Sequence, residues 1–270
     1  MWIDIGANLT HSRFDPDRDA VIARAIEAGV ERMILTSCNG PGVLAGEQLR
    51  QRYPDHFWIT SGIHPHEAGE MREGDWETVT TFAERPEAVA IGECGLDYFR
   101  NLSEPGQQQR IFEKQVDLAI RVGKPLFLHE RDAHADMRAI LGSAGSALPK
   151  AVIHCFTGTA AELDRYLSMG LWIGLTGWIC DERRGRHLLP LLSRIPEDRL
   201  LIETDAPYLL PRTLPHPPRN RRNEPAFLPH IAAFLATHLN RDPADLAIRL
   251  RTNTLDFFRP RPDFQEMPRS

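Results

Sequence analysis

Ala90-Ile-Gly-Glu-Cys-Gly-Leu-Asp-Tyr98 begins as an apolar run and then places a carboxylate, Glu93, where a buried strand should be ending. A carboxylate there is costly unless something pairs with it. Three other apolar runs break the same way: Pro125-Leu-Phe-Leu-His129, Ala151-Val-Ile-His154 and Leu200-Leu-Ile-Glu-Thr-Asp205. Each is closed by a residue type that ligates metals. Along the whole chain, short apolar runs alternate with longer amphipathic stretches. That is the rhythm of repeated βα units and a parallel sheet.

Working outward, the strands are expected at 2–5, 32–36, 57–61, 88–92, 125–128, 151–153, 171–175 and 199–202. Helices are expected over 16–28, 42–52, 76–84, 104–122, 133–141, 160–168 and 184–193. The longest of these carries Ile111, Val116, Leu118, Ala119 and Val122 as its apolar positions. Eight strand–helix steps predict a closed TIM (β/α)₈ barrel, with a doubly wound sheet as the alternative. No glycine-rich dinucleotide fingerprint or phosphate-loop motif favours the latter. The expected division is one barrel domain over 1–260 and a C-terminal tail over 261–270, since barrels of this kind run to about 250 residues.

The 270 residues are 42% hydrophobic, enough for a sizeable core, and the formal net charge is −5. An acidic balance argues against a wholesale basic surface, so any nucleic-acid contact has to be local. Four cysteines without metal-binding spacing read as reduced thiols in a cytoplasmic protein. No signal peptide and no membrane span of roughly 18 apolar residues is expected.

In a barrel, the C-terminal ends of the strands form the active face. Glu93, His129, His154 and Asp205 would project there, with His64 just beyond the third strand. Several like-charged, desolvated groups together call for a shared counter-ion, which a divalent metal supplies. The mixed imidazole and carboxylate set suits Zn²⁺, Mn²⁺, Fe²⁺ or Mg²⁺ without selecting among them. Such a Lewis-acid site activates water and polarises an electrophile, which points to hydrolysis. A serine nucleophile turn is absent from the sequence.

The blocks Asp4–Thr10, Gly62-Ile-His-Pro-His66, Ile91–Asp97, Arg131-Asp-Ala-His134, His154-Cys-Phe-Thr-Gly158, Gly177–Gly185, Glu203-Thr-Asp-Ala-Pro-Tyr208 and Arg222-Asn-Glu-Pro225 resemble, in order, the TatD family of metal-dependent deoxyribonucleases. The resemblance implies a barrel of the amidohydrolase type. It also implies hydrolysis of DNA phosphodiester bonds, in the 3′→5′ exonuclease form on single-stranded DNA with RNA as a further substrate, and a role in DNA repair or degradation. The family's metal ligands fall on Glu93, His129, His154 and Asp205, for one or two divalent ions. Mg²⁺ is the leading expectation and Mn²⁺ or Zn²⁺ the alternatives. Many members have a His-x-His pair after the first strand, where this chain has Gly6 and Asn8.

Catalytic roles are expected for Glu93, Asp205, His64 and Glu203, with a salt bridge equally open for Glu203. Substrate contacts are expected from His64, His66, Arg131, Tyr208, Arg221 and Arg222. The arginines of the proline-rich stretch 207–225 can hold phosphates by forked hydrogen bonds. Trp178, Tyr98 and Tyr208 are candidates for stacking unpaired bases. Asp97 is read as orienting ligands or pairing at the rim, His134 as lying behind the ligands or on the surface, and Cys94 and Cys155 as packing. A monomer is expected. Two rivals are a carbon–nitrogen hydrolase on the same barrel and a barrel that binds nucleic acid without cutting it.

Overall fold

The computed structural model describes residues 1–258. The proposed tail and the last two residues of the proposed domain lie outside that range. Eight parallel strands pair in sequence order: β1 (Trp2–Ala7), β2 (Val30–Leu35), β3 (Phe57–Ser61), β4 (Ala88–Asp97), β5 (Leu126–Arg131), β6 (Ala151–Ile153), β7 (Trp172–Leu175) and β8 (Leu200–Ile202). The ring is drawn shut by a bridge between Ala7 and Ala206. There the Asp205 N–H donates to the Gly6 carbonyl at 2.8 Å and the Asn8 N–H to the Ala206 carbonyl at 2.7 Å. This is the expected barrel.

Seven helices enclose the first six strands and seal the seam: α1 (Arg18–Glu27), α2 (Gly40–Arg52), α3 (Glu73–Ala83), α4 (Pro105–Val122), α5 (His134–Ser143), α6 (Ala160–Ser168) and α7 (Leu228–Leu239). An eighth, α8 (Pro243–Phe258), lays Phe257 and Phe258 beside Trp172 in the small cluster that fills the barrel interior with Ile5, Ile34, Phe127 and Leu201. The last two helices had no counterpart in the sequence reading. After β7, tight 3-10 turns over Arg186–Arg194 replace the expected α-helix. Pro190 lies inside that stretch, and proline lacks the N–H an α-helix requires there.

The deciding stretch folds differently from a strand that stops at Gly92. β4 runs on to Asp97, with a register shift against β5 between Ile91 and Cys94. Gly92 and Gly95 flank Glu93 with φ of +149° and +138°, and a Cβ on either would collide with the β5 backbone, at the carbonyls of Phe127 and His129. Only glycine admits both the conformation and the approach. The irregularity between these two glycines puts Glu93 inside the mouth while Cys94 stays buried in the wall, its thiol against the Ile91 and Phe127 carbonyls.

Helix α4 does more than cover the sheet. Its buried face carries Ile111, Phe112 and Val116, but also two glutamines, Gln108 and Gln115. Gln115 accepts the Ile63 N–H at 2.7 Å and donates to the Ile63 carbonyl at 3.0 Å. Gln108 does the same for Asp97, at 2.8 and 3.1 Å. A buried side-chain amide that meets both backbone groups of one residue fixes that segment as a neighbouring strand would. The residues held are those beside His64 and at Asp97.

Candidate metal centre

Three imidazoles converge on one oxygen of Glu93. Oε1 lies 2.8 Å from His154 Nε2, 3.1 Å from His129 Nδ1 and 3.2 Å from His64 Nε2. Behind them stand two further carboxylates. The far nitrogen of His129, Nε2, is 3.0 Å from Asp97 Oδ2, and that of His154, Nδ1, is 3.4 Å from Glu203 Oε2. His66 Nε2 reaches the same Asp97 oxygen at 2.8 Å. The His154 ring also stacks on Phe127, with centroids 4.7 Å apart. His64 differs from the other two rings: its Nδ1 accepts the His66 N–H at 3.1 Å, so its proton sits on Nε2.

The protonation balance follows from this layout. Burial pushes the Glu93 carboxyl up, but His154, His64 and His129 outweigh it and hold the group well below the usual range. Asp97 is likewise held low against its burial, by His129, His66 and the Arg100 N–H. Burial disfavours imidazolium at His129 and His154, yet the flanking carboxylates raise both. His64, where burial prevails over Glu93, is lowered to about 4 and is neutral. The carboxylates of the cluster thus favour positive charge on His129 and His154.

A divalent ion brings the same charge in one centre. Glu93, His129 and His154 present donor atoms within 4.8 Å of one another. The carboxylate behind each imidazole is the arrangement that fixes ring orientation at metal sites. The residues present therefore fit a divalent ion, held by these three. His64, His66 and His129 form a second such group, but His66 Nε2 and His129 Nε2 are both spent on Asp97.

Asp205 belongs to neither of these two groups. Its Oδ1 accepts Asn8 Nδ2 at 3.0 Å, and Asn8 Oδ1 in turn takes the Thr36 hydroxyl at 2.6 Å. Burial, with Glu93 and Glu203 nearby, pushes Asp205 up to about 8. Glu203 is fully buried, with Oε1 accepting the Cys155 N–H at 2.6 Å. Its Oε2 lies where a side chain on Gly6 would begin. Glu203 is therefore tied to His154 and to the backbone, which makes it an orienting group.

The expected substrate residues separate. Arg131 lies over the ring of Phe99, 3.9 Å from its centroid. Tyr208 is 46% exposed at the mouth, edge-on to His11 and next to Asp205, to whose carbonyl its N–H donates. Arg221 is exposed, without an ion pair among the described residues. His66 serves Asp97. Arg222 is a correction: it is buried, with its fork on Asp17 at 2.7 Å and on Glu224 at 2.8 Å, and it anchors the proline-rich loop instead of facing solvent. Arg212 pairs with Glu182, and Asp181 holds Arg183 and Arg184, so that segment is a rim ion-pair cluster. The Tyr98 hydroxyl donates to Asp136 at 2.8 Å. His134 packs edge-on against Tyr166.

Asn8, Phe99 and the two α4 glutamines went unread as site residues. A glutamine pair on an otherwise apolar helical face was the one signal available in advance.

A parallel eight-stranded barrel whose mouth gathers a carboxylate and three imidazoles, two of them backed by a further carboxylate, defines a metal-dependent hydrolase. The chain belongs to the TatD related DNase family, whose sequence profile it matches over residues 3–259. It is 50% identical over 257 residues to a protein of Edwardsiella piscicida named 3′-5′ ssDNA/RNA exonuclease TatD, covering 95% of this chain and 99% of that one. Its fold is similar to a TatD homologue from Escherichia coli K12, with a TM-score of 0.86, 26% identity and 95% and 97% of the two chains covered. A TatD family hydrolase from Entamoeba histolytica superposes with a TM-score of 0.85 at 28% identity, over 96% and 98% of the chains.

Proposed function

We propose that this protein is a 3′→5′ exonuclease that hydrolyses single-stranded DNA, and RNA, with one divalent ion, Mg²⁺ first and Mn²⁺ or Zn²⁺ as substitutes. The observation that carries the reading is the pair of carboxylate–imidazole–carboxylate arrays, Glu93–His129–Asp97 and Glu93–His154–Glu203. The printed name of the 50%-identical relative supports the substrate and polarity. One ion rather than two is favoured because position 6 offers no side chain and the Asn8 amide is spent on Asp205 and Thr36.

Bound by Glu93, His129 and His154, with Asp205 as the fourth proposed ligand, a divalent ion would supply Lewis acidity for activating water and for the negative charge that develops on the phosphoryl oxygens. Asp97 and Glu203 keep the two imidazoles turned toward it. Asp205 takes the proton of the attacking water at its carboxylate. His64, neutral and with its Nε2–H on Glu93 at 3.2 Å, shifts that hydrogen bond to a phosphate oxygen when substrate enters. Tyr208, Arg131 and Arg221 are proposed to steer the strand. Among the described residues no helix is long and apolar enough to cross a membrane. Four free cysteines fit a reducing compartment, so we place the protein in the cytoplasm, as a monomer acting in DNA repair or degradation. Residues 1–260 are proposed to be one domain.

The test is nucleotide release from 5′-end-labelled single-stranded DNA, with Mg²⁺, Mn²⁺ or EDTA. Shortening from the 3′ end is expected with metal and not with EDTA, and should be lost in Glu93→Ala. Strand binding without release under any metal would overturn the reading.

A further inference from the structure

Beside the metal centre, a cleft of about 210 Å³ opens between the loops that follow β4 to β7. It begins at Ile153, one residue before His154, and at Arg131, two residues after His129. Its walls include the aromatic rings of Phe99, Phe156 and Trp178. Phe99 is 58% exposed, although exposing a large ring is unfavourable, and it carries the Arg131 guanidinium on one face. Trp178 carries the Arg184 guanidinium at 4.2 Å from its ring centroid.

The charged part of the remaining lining is mostly acidic, Glu130, Asp132 and Glu162 against the one arginine, with both Glu130 oxygens taken by the Ala133 N–H and the Tyr166 hydroxyl. Three carboxylates repel a phosphate, and two of them, Asp132 and Glu162, keep an oxygen to accept a hydrogen bond from an amino group. Glu162 also receives the Thr159 N–H on Oε2, which fixes its carboxylate at the start of α6. A Cβ on Gly158 would come within 2.7 Å of that oxygen and 2.9 Å of the Phe156 ring, so glycine there keeps two walls of the cleft close together. At this volume the cleft is below the roughly 300 Å³ at which sites for whole drug-sized ligands begin. It has room for one flat ring system. A neighbouring cavity of about 250 Å³, bordered by Asn39, Glu67 and Asp75, has no aromatic wall and does not compete.

We propose that this cleft seats one nucleobase of the single-stranded substrate against Phe99 and Trp178, and that its carboxylates select bases carrying an exocyclic amino group. Cytosine, adenine and guanine qualify; thymine and uracil do not. The inference rests on the nuclease reading above for its ligand and extends it to base preference. Phe99 and Trp178 are positioning residues here, because they hold the base and do not touch the reacting phosphate.

Two measurements on the full chain test it. In the first, Mg²⁺-dependent degradation of oligo-dC, oligo-dA and oligo-dT, and of oligo-rC and oligo-rU, is compared in the parent, Phe99→Ala and Glu162→Gln. The parent is expected to favour dC and dA over dT, and rC over rU. Phe99→Ala should raise KM by about tenfold, the size of one lost stacking contact, with kcat little changed. Glu162→Gln, which keeps the acceptor for Thr159, should narrow the base preference while leaving thermal stability intact. The second is calorimetric titration with dCMP and dTMP, which needs no turnover; dCMP should bind more tightly, and Phe99→Ala should weaken it. Active protein with equal KM for all bases, or with an unchanged KM and base order in Phe99→Ala, overturns the subsite alone. Absence of cleavage in the parent would overturn the nuclease reading, and equal binding of dCMP and dTMP would then still overturn the subsite.

Discussion

At the scale of single residues, Asp97 sets the orientation of two imidazoles with one oxygen, since His66 and His129 both meet Oδ2. Asp97→Asn keeps the shape but removes the charge that makes both contacts strong. Metal affinity should fall about 10- to 100-fold, as for other groups that orient ligands, with little change in thermal stability; calorimetric Mn²⁺ titration reads the first and a melting curve the second. Asp4 gives a pH signature of its own. Burial pushes its carboxyl up to about 7, against hydrogen bonds from Thr204 and Gly6. Between about pH 4 and pH 7 the folded chain holds a proton that the unfolded chain has released. Stability from this group is therefore present in acid and is lost as the pH rises through that window. Urea midpoints of the metal-free protein measured from pH 5 to 8 should decline less in Asp4→Asn than in the parent. A parallel decline in the two would remove Asp4 as the source.

Among elements, the stretch from Pro207 to Pro225 shows how a loop without regular structure is held. Arg222 bridges Asp17 and Glu224 and donates to the Arg13 carbonyl at 2.7 Å, while Arg24 grips Glu224 from α1 at 2.8 Å. Arg222→Ala leaves Glu224 buried with half its partners, at a cost of about 3 kcal/mol. A lowered melting temperature is expected, and a KM for DNA within about twofold of the parent at a temperature where the variant is folded. A large KM rise without loss of stability would instead return Arg222 to the substrate. Helix α4 was legible as a helix from its apolar positions, but its task was not. Gln108 and Gln115 act on Asp97 and Ile63, residues that are distant in sequence or beyond a turn, and periodicity carries no record of which loop a buried amide will meet.

For the whole molecule, a net charge of −5 and arginines largely tied up at the rim leave few cations for the phosphate backbone. Strand binding should therefore depend weakly on salt. A plot of log KM against log salt is expected to have a slope of about 1 to 2, corresponding to two or three phosphate contacts. A slope near 6 would mean an extensive basic track, which is not seen among the described residues. The eight-step rhythm, the short apolar strands and the ligating residue types at their ends were all present in the linear chain, because parallel strands buried on both faces need continuous apolar runs and only a break in the run exposes a site. That was enough for the barrel and for Glu93, His129 and His154. The chain could not say that β4 continues through Glu93, which depends on β5 passing close enough to exclude any Cβ at Gly92 and Gly95. Nor could it rank the arginines. Whether a guanidinium faces a phosphate or a buried carboxylate depends on which acids the closed barrel brings to it, and Asp17 meets Arg222 across 205 residues only once the first and last strands have joined. Glu93 itself was readable as a carboxylate in need of a counter-charge; that three imidazoles point at one of its oxygens, two of them braced from behind, was decided by tertiary structure alone.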